Sequence, residues 1–312
     1  MCTAISFSTL DTYFGRNLDF DFSYGEKVVI YPSDRPLSFR NGTTLKKHLA
    51  IMGVAHVEGD YPLFYDAIND AGVGMAGLNF VSNAHYFEKK EGMTNIASFE
   101  LIPYILSQAR DLADVHTLLS NMNVTNEAYS GLLSPSALHW LISDKKGSLV
   151  LEITKDGMNL YDNPYGALTN NPPWKEQVAS LNIHRNLSNK DPKDSFLKDN
   201  AQGFYSRGLG TIGLPGDLTS SSRFVRVVFN KSLCLSPEDE ASSVSSFFHI
   251  LGSVEQIKGC CEVKENEFEY TIYTSCYNLN KGLCYIKTYF GGIEKPISFE
   301  SKEHYLYAQS EQ

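Results

Sequence analysis

Residues 1–8 read "MCTAISFS". Thr3, Ile5 and Phe7 fall on one side and Cys2, Ala4 and Ser6 on the other, which is the period of a β-strand. A second residue as small as cysteine lets methionine aminopeptidase remove Met1, leaving a thiol and a free α-amine on the same residue. An α-amine ordinarily titrates at about 7.7–8.0, well below a lysine. It can therefore act as general base toward its own thiol, directly or through one water. A thiol with an ordinary pKa near 8.5 is only a few per cent ionised at neutral pH, yet it is intrinsically very nucleophilic. Nucleophile and base would share one residue, with no catalytic histidine required. The plain alternative is a small buried hydrophobe on a strand, a common setting for cysteine. The strand alone leaves both readings open.

The bulk composition narrows the field. The 312 residues carry a net charge of −9, with 42% hydrophobic and 20% charged residues, an ordinary globular balance with length enough for a sizeable core. No basic stripe or Lys/Arg cluster marks a nucleic-acid footprint, and the acidic total disfavours anionic membranes. No apolar window reaches membrane-spanning length, and no charged segment followed by an apolar one marks a signal peptide, so a cytoplasmic protein is expected. Six cysteines are too sparse for a disulfide scaffold, and "GCC" at 259–261 lacks the paired spacing of a zinc site. The eight histidines show no HxxxH pair, so neither a metal nor another cofactor is expected.

Outward from the first strand, "YFGRNLDFDF" resumes strand character after the turn "LDT", which predicts a hairpin. Further strands are expected at "KVVIYP", "LAIMGVAHV", "YPLFYDAIN" and "GVGMAGLNF", the last two joined by a turn at Asn69–Gly72. "SFELIPYILSQARDLADVHTLLSNM" has helical spacing, with Ser98 and Asp111 as expected N-caps. A strand meander over "ALHWLISDKKGSLVLEITKDGMNLYDNP" and a Pro-headed helix over "PWKEQVASLNIHRNL" come next. Two more helical stretches, "SRFVRVVFNKSL" and "ASSVSSFFHILGSVEQI", precede a terminal hairpin turned at Asn280–Gly282. Strands, helices, strands, helices, strands is the order of two sheets between helical layers, in an α+β chain expected to form one domain over 2–312. Residues 188–222, rich in Gly, Ser, Asp and Lys, read as a long loop or an arm to a neighbouring subunit.

Several residues are candidates to join Cys2. A hairpin returning beside the first strand brings Arg16 and Asp19 near the thiol. Arg16 could lower the thiol pKa or hold an anionic group, and Asp19 could bind the α-ammonium. Strict alternation puts them on opposite faces, so a bulge or strand end near Leu18 is needed for both to serve one site. The alternative is an exposed ion pair of little consequence. Asn79 in "MAGLNF" and Asn170 in "LTNNP" offer neutral amide donors of the kind an oxyanion needs, although asparagines near turns more often bond their own backbone. Arg223 in "TSSSRFVR" could act on Cys2 electrostatically or be a helix-surface charge.

Taken together, "MCTAISF", "YFGRNLDFDFSYGE", "DAINDAGVGMAGLNF", "YDNPYGALTNNP", "GLPGDLTSSSRFVR" and "FFHILGSVEQIKG" resemble the choloylglycine hydrolase family, which contains bile salt hydrolases and penicillin V acylases. The resemblance runs end to end, with six motifs in order. It implies an N-terminal nucleophile hydrolase with a four-layer αββα sandwich. By resemblance, Cys2 is the nucleophile, Arg16 and Asp19 are the active-site Arg and Asp, Asn79 and Asn170 are the oxyanion and substrate asparagines, and Arg223 is the second arginine. Asn79 is similar to the bile salt branch, because penicillin V acylases often carry Tyr there. The implied reaction is hydrolysis of the amide joining a steroid acyl chain to glycine or taurine, through an acyl-enzyme on Cys2. Penicillin V acylase or another N-acyl amidase is the alternative. A catalytically silent steroid-binding member is a third reading, against which none of the six positions is substituted. The expected pocket walls are Phe20, Phe22, Tyr24, Phe64, Tyr65, Leu132 and Leu133. A homotetramer is also implied, with 188–222 as its assembly arm.

Overall fold

The computed structural model describes residues 1–193 and 206–301, and the backbone of a short strand at Tyr305–Leu306. In chain order the main strands are β1 (Cys2–Ser8), β2 (Thr12–Phe20), β3 (Lys27–Tyr31), β4 (Ile51–Glu58), β5 (Tyr61–Asn69), β6 (Gly74–Asn79), β7 (Leu138–Ser143), β8 (Ser148–Thr154), β9 (Gly157–Asp162), β10 (Ala167–Leu168), β11 (Tyr270–Asn278), β12 (Leu283–Thr288) and β13 (Ile297–Ser298). The helices are α1 (Leu101–Leu106), α2 (Leu112–Leu119), α3 (Trp174–Ser180), α4 (Ser220–Leu233) and α5 (Glu240–Gly252).

Two antiparallel sheets result. One has six strands in the order β10-β1-β2-β11-β12-β13; the other has eight, β9-β8-β7-β6-β5-β4-β3 and the strand at 305–306. Alternation explains the stacking. Cys2 and Ala4 face the second sheet, while Ile5 and Phe7 on the opposite side of β1 join one apolar cluster with Phe224 of α4 and Phe247 of α5. On the eight-stranded sheet Ala76, Leu78, Leu141 and Val150 face the sandwich interior, and Met75, Trp140, Ile142 and Leu151 face α1 and α2. Helix, sheet, sheet, helix is the four-layer α+β sandwich expected from the sequence. β1 is therefore buried on both faces, from Cys2 to Phe7. The sheets approach closely at Gly74, where a Cβ would lie 2.6 Å from the Phe14 ring.

The predicted hairpins β1–β2, β5–β6 and β11–β12 are all present. Gly72, at φ 92°, completes the Asn69–Gly72 turn in a conformation that favours glycine. Asp111 caps α2 by accepting the Asp114 N–H at 3.0 Å. Ser98 does not cap α1. It lies buried inside a 3₁₀ turn, Ser98–Glu100, and the Glu100 carboxylate instead accepts the Ala97 N–H at 3.2 Å. The predicted loop at 188–222 is shorter than expected, because Ser220–Ser222 form the first turn of α4; residues 194–205 of that stretch lie outside the described residues. Its two described flanks meet, with Ser188 N–H donating to Gly210 O at 2.9 Å.

Candidate active site

The register of β1 against β2 places Cys2 opposite Leu18 and Ala4 opposite Arg16, so the thiol and the guanidinium share the inner face. Cys2 is 3% exposed and Arg16 1%. Arg16 Nη1 donates to the carbonyls of Gly77 and Tyr65, and Nε to Asn17 O; Nη2 is buried without a partner among the described residues. Burial opposes the charge on Arg16, yet Cys2, Tyr273, Asp66 and Asp19 hold its pKa above the ordinary value. Asp66 is itself gripped by two phenols, Tyr273 OH at 2.5 Å and Tyr277 OH at 2.6 Å. Burial pushes the Asp66 carboxyl up, against the pull of Arg16 and those two bonds.

The outer face of the same strand meets a second arginine. Arg223, in the first turn of α4, is completely buried and donates from Nη1 to Cys2 O and Thr3 Oγ1, both at 2.5 Å, and from Nη2 to Asn170 Oδ1 at 2.8 Å. A guanidinium only donates, so this contact fixes which way the Asn170 amide points. Asn170 Oδ1 also accepts the Cys2 N–H at 2.8 Å, and Nδ2 donates to Asn79 O at 2.9 Å. One Nδ2 hydrogen remains. Cys2 thus lies between two buried cations, Arg16 on one face of β1 and Arg223 on the other.

Asp19 is placed differently from the expectation. β2 runs regularly, and the register irregularity lies on β11 between Thr271 and Tyr273. The Asp19 carboxylate stays on the helical side, accepting from Thr271 Oγ1 at 2.6 Å and Gln256 Nε2 at 3.2 Å. Its backbone reaches the chain start: Met1 N donates to Asp19 O at 2.9 Å, and Asp19 N donates to Met1 O at 3.0 Å. Met1 therefore adds one rung to the β1–β2 ladder, and its ammonium pairs with Glu269. Burial lowers the Met1 amine pKa, while the charges of Cys2 and Asp19 act against that. With Met1 present, the Cys2 nitrogen is a peptide nitrogen.

Cys2 and Arg16 open onto a cleft of about 410 Å³ with mostly apolar walls. Phe20, Tyr24, Phe64, Tyr65 and Leu133 line it, as does Asn79. Phe22 and Leu132 do not. Phe22 packs on the rings of Phe20 and Tyr24, at 5.3 and 4.5 Å between centroids, and Leu132 is 95% exposed. Phe99, Ile102, Tyr129 and Trp140 build the far wall. In sequence Phe99 and Ile102 read as the core side of a helix and Trp140 as a strand residue, so no local signal separates them from core. A second cleft, about 450 Å³, lies on the Met1 side and shares Phe20 and Asn79 with the first. Among the described residues no cluster of three His, Cys, Asp or Glu side chains could hold a metal ion, and no helix is long and apolar enough to cross a membrane.

Residues 2–295 match the family model of linear amide C–N hydrolases, choloylglycine hydrolase family. The chain belongs to that family. It is 48% identical over 289 residues to a bile salt hydrolase/transferase of Lactiplantibacillus plantarum, covering 93% of this chain and 89% of that one. A second bile salt hydrolase/transferase, from Clostridium perfringens, is 34% identical over 294 residues, covering 93% and 89%. A crystal structure of a conjugated bile acid hydrolase from Clostridium perfringens superposes with a TM-score of 0.89 at 32% identity, covering 99% of this chain and 97% of that one. Penicillin V acylase from Agrobacterium tumefaciens shares the fold, with a TM-score of 0.74 at 16% identity, covering 94% and 84%. The choloylglycine hydrolase fold thus frames Cys2, and the chain is an enzyme that cleaves linear amide C–N bonds.

Proposed function

We propose that this choloylglycine hydrolase cleaves the amide of glycine- or taurine-conjugated bile salts, releasing the free bile acid and the amino acid. One observation carries the reading: Cys2, Arg16 and Asn79 share a cleft of about 410 Å³ whose other walls are largely apolar and aromatic. Such a cleft suits a rigid apolar acyl group with one polar end. The names of the relatives point the same way.

Removal of Met1 frees the Cys2 amine at the end of the β1–β2 ladder. That amine takes the thiol proton as Sγ attacks the amide carbonyl. The remaining Nδ2 hydrogen of Asn170 and the Asn79 amide, which makes no side-chain hydrogen bond among the described residues, stabilise the oxyanion. As the C–N bond breaks, the amine passes its proton to the departing glycine or taurine nitrogen. The bile acid is left as a thioester on Cys2. Water, deprotonated by the same amine, then cleaves the thioester and restores the thiol. Arg223 orients Asn170, Arg16 supplies charge beside Sγ, and the charge of Asp19, which acts on the chain-start amine from the helical side without bonding it, favours the Cys2 ammonium. The chain acts as one catalytic unit over residues 2–312, in the cytoplasm, as a homotetramer to which the 188–222 segment contributes contacts.

The test is a comparison of glycocholate, taurocholate and penicillin V as substrates, each also given to Cys2→Ala. Glycine and taurine release by the wild type only is expected. Faster cleavage of penicillin V than of either bile salt would overturn the substrate, and an active Cys2→Ala would overturn the nucleophile.

A further inference from the structure

Asn170 is held by more than Arg223, and its other support comes from the opposite sheet. His139 on β7 and Glu152 on β8 stand on the inner face of the eight-stranded sheet, 0% and 2% exposed. His139 Nε2 lies 2.7 Å from Thr169 O, the carbonyl immediately before Asn170. A carbonyl only accepts, so Nε2 carries the hydrogen. His139 Nδ1 lies 3.3 Å from Glu152 Oε1, and the same oxygen accepts the Trp174 N–H at 2.8 Å, at the start of α3. The imidazole also stacks on Phe80, with centroids 4.3 Å apart and planes 7° apart. Two further bonds close the segment: Gln177 Nε2 donates to Asn170 O, and Asn170 N–H donates to Ser220 Oγ at 2.8 Å.

We infer that His139, backed by Glu152, is a positioning residue for the reaction: it fastens residues 169–174 to the second sheet and so sets where the Asn170 amide stands beside Cys2. The inference rests on the catalytic role proposed for Asn170. His139 touches neither Cys2 nor the cleft; it reaches the site through that segment by its bond to Thr169 O and, by its stack on Phe80, beside Asn79. Its histidine identity is explained by the bond to Thr169 O and not by the stack, which a phenylalanine would also make. A buried carbonyl stripped of its donor loses a bond that water cannot replace there. A catalytic amide displaced by as little as an ångström loses much of its effect.

These two roles can be separated because two variants each keep one of them. His139→Phe keeps the ring on Phe80 and loses the donor. His139→Gln loses the ring and places an amide N–H where Nε2 stood. For glycocholate hydrolysis, His139→Phe is expected to lower kcat about tenfold or more with KM changed by less than about twofold, and His139→Gln to stay within about threefold of wild type. Melting temperatures are expected in the reverse order, His139→Phe above His139→Gln. A kcat ranking that follows the melting temperatures would overturn the inference, as would a folded His139→Phe with wild-type kcat. If His139→Phe does not fold, the ranking is read between His139→Gln and His139→Asn, whose shorter amide cannot reach Thr169 O; equal kcat in those two would overturn it. Hydrogen–deuterium exchange gives a reading independent of substrate. Faster exchange across 169–174 in the donor-less variant supports the clamp and unchanged exchange overturns it, even if the wild type leaves glycocholate intact and the substrate reading falls.

Discussion

The two faces of β1 each bring an arginine to Cys2, and the two are held in opposite ways. On the inner face Arg16 bonds backbone carbonyls, and its Nη2, buried next to the cleft, has no partner among the described residues. On the outer face Arg223 bonds the nucleophile's own carbonyl, Thr3 and Asn170. Burial raises the cost of both charges, but only Arg223 ends with a lowered pKa. Arg16 has Asp66 and two tyrosines behind it as well as Cys2 in front. The difference separates their tasks: Arg223 fixes the geometry of the thiol and its amide partner, and Arg16 supplies charge to the cleft.

Removing each arginine breaks the comparison in a different place. Arg223→Leu strips donors from Cys2 O, Asn170 Oδ1 and Leu218 O at once, and is expected to cost on the order of 3–5 kcal/mol in urea unfolding and to abolish turnover. Arg16→Leu is expected to lose activity with a smaller stability loss, on the order of 1–2 kcal/mol, because the Asp66 carboxyl, already pushed up by burial, takes a proton when its cation is gone. Equal stability losses in the two variants would erase the distinction. The smallest effect concerns a third cation on the outer face. Lys231, two turns along α4 from Arg223, donates to Ser6 O at 2.9 Å, and burial lowers its pKa from 10.5 to about 8. Between those values the unfolded chain binds more protons than the folded one, so this group makes the fold more stable as pH rises from about 8 to 10.5. Lys231→Met should flatten that rise relative to wild type in unfolding experiments across the range; identical slopes would show that the lysine is not penalised by burial.

How much of this was legible in the sequence depends on whether the contact is set by one hairpin or by packing between layers. Cys2 and Arg16 on one face follow from alternation and a short turn, and both are readable from residues 1–20. Asp19 was readable as a neighbour and, by strict alternation, on the face opposite Arg16; its partners Gln256 and Thr271 were not, because they lie 237 and 252 residues away in the chain. The Arg223–Asn170 bond joins a helix to the end of a two-residue strand, a placement fixed by how α4 lies across the sheet. Period-2 and period-3.6 patterns give which face is buried and not what it meets. For the same reason His139 and Glu152, which stand on adjacent strands of the meander, look in sequence like two scattered polar residues. Phe22 and Leu132 show the converse. Apolar residues in loops near a site are not thereby its walls.

Cys2 works with its own α-amine, which Met1 covers until it is removed. Intact-mass measurement of the enzyme quenched during glycocholate turnover, with peptide mapping of the N-terminus, tests it directly. The expected species is a chain lacking Met1 that carries a cholyl group on the peptide beginning at Cys2. Full turnover by protein that still carries Met1 would contradict it.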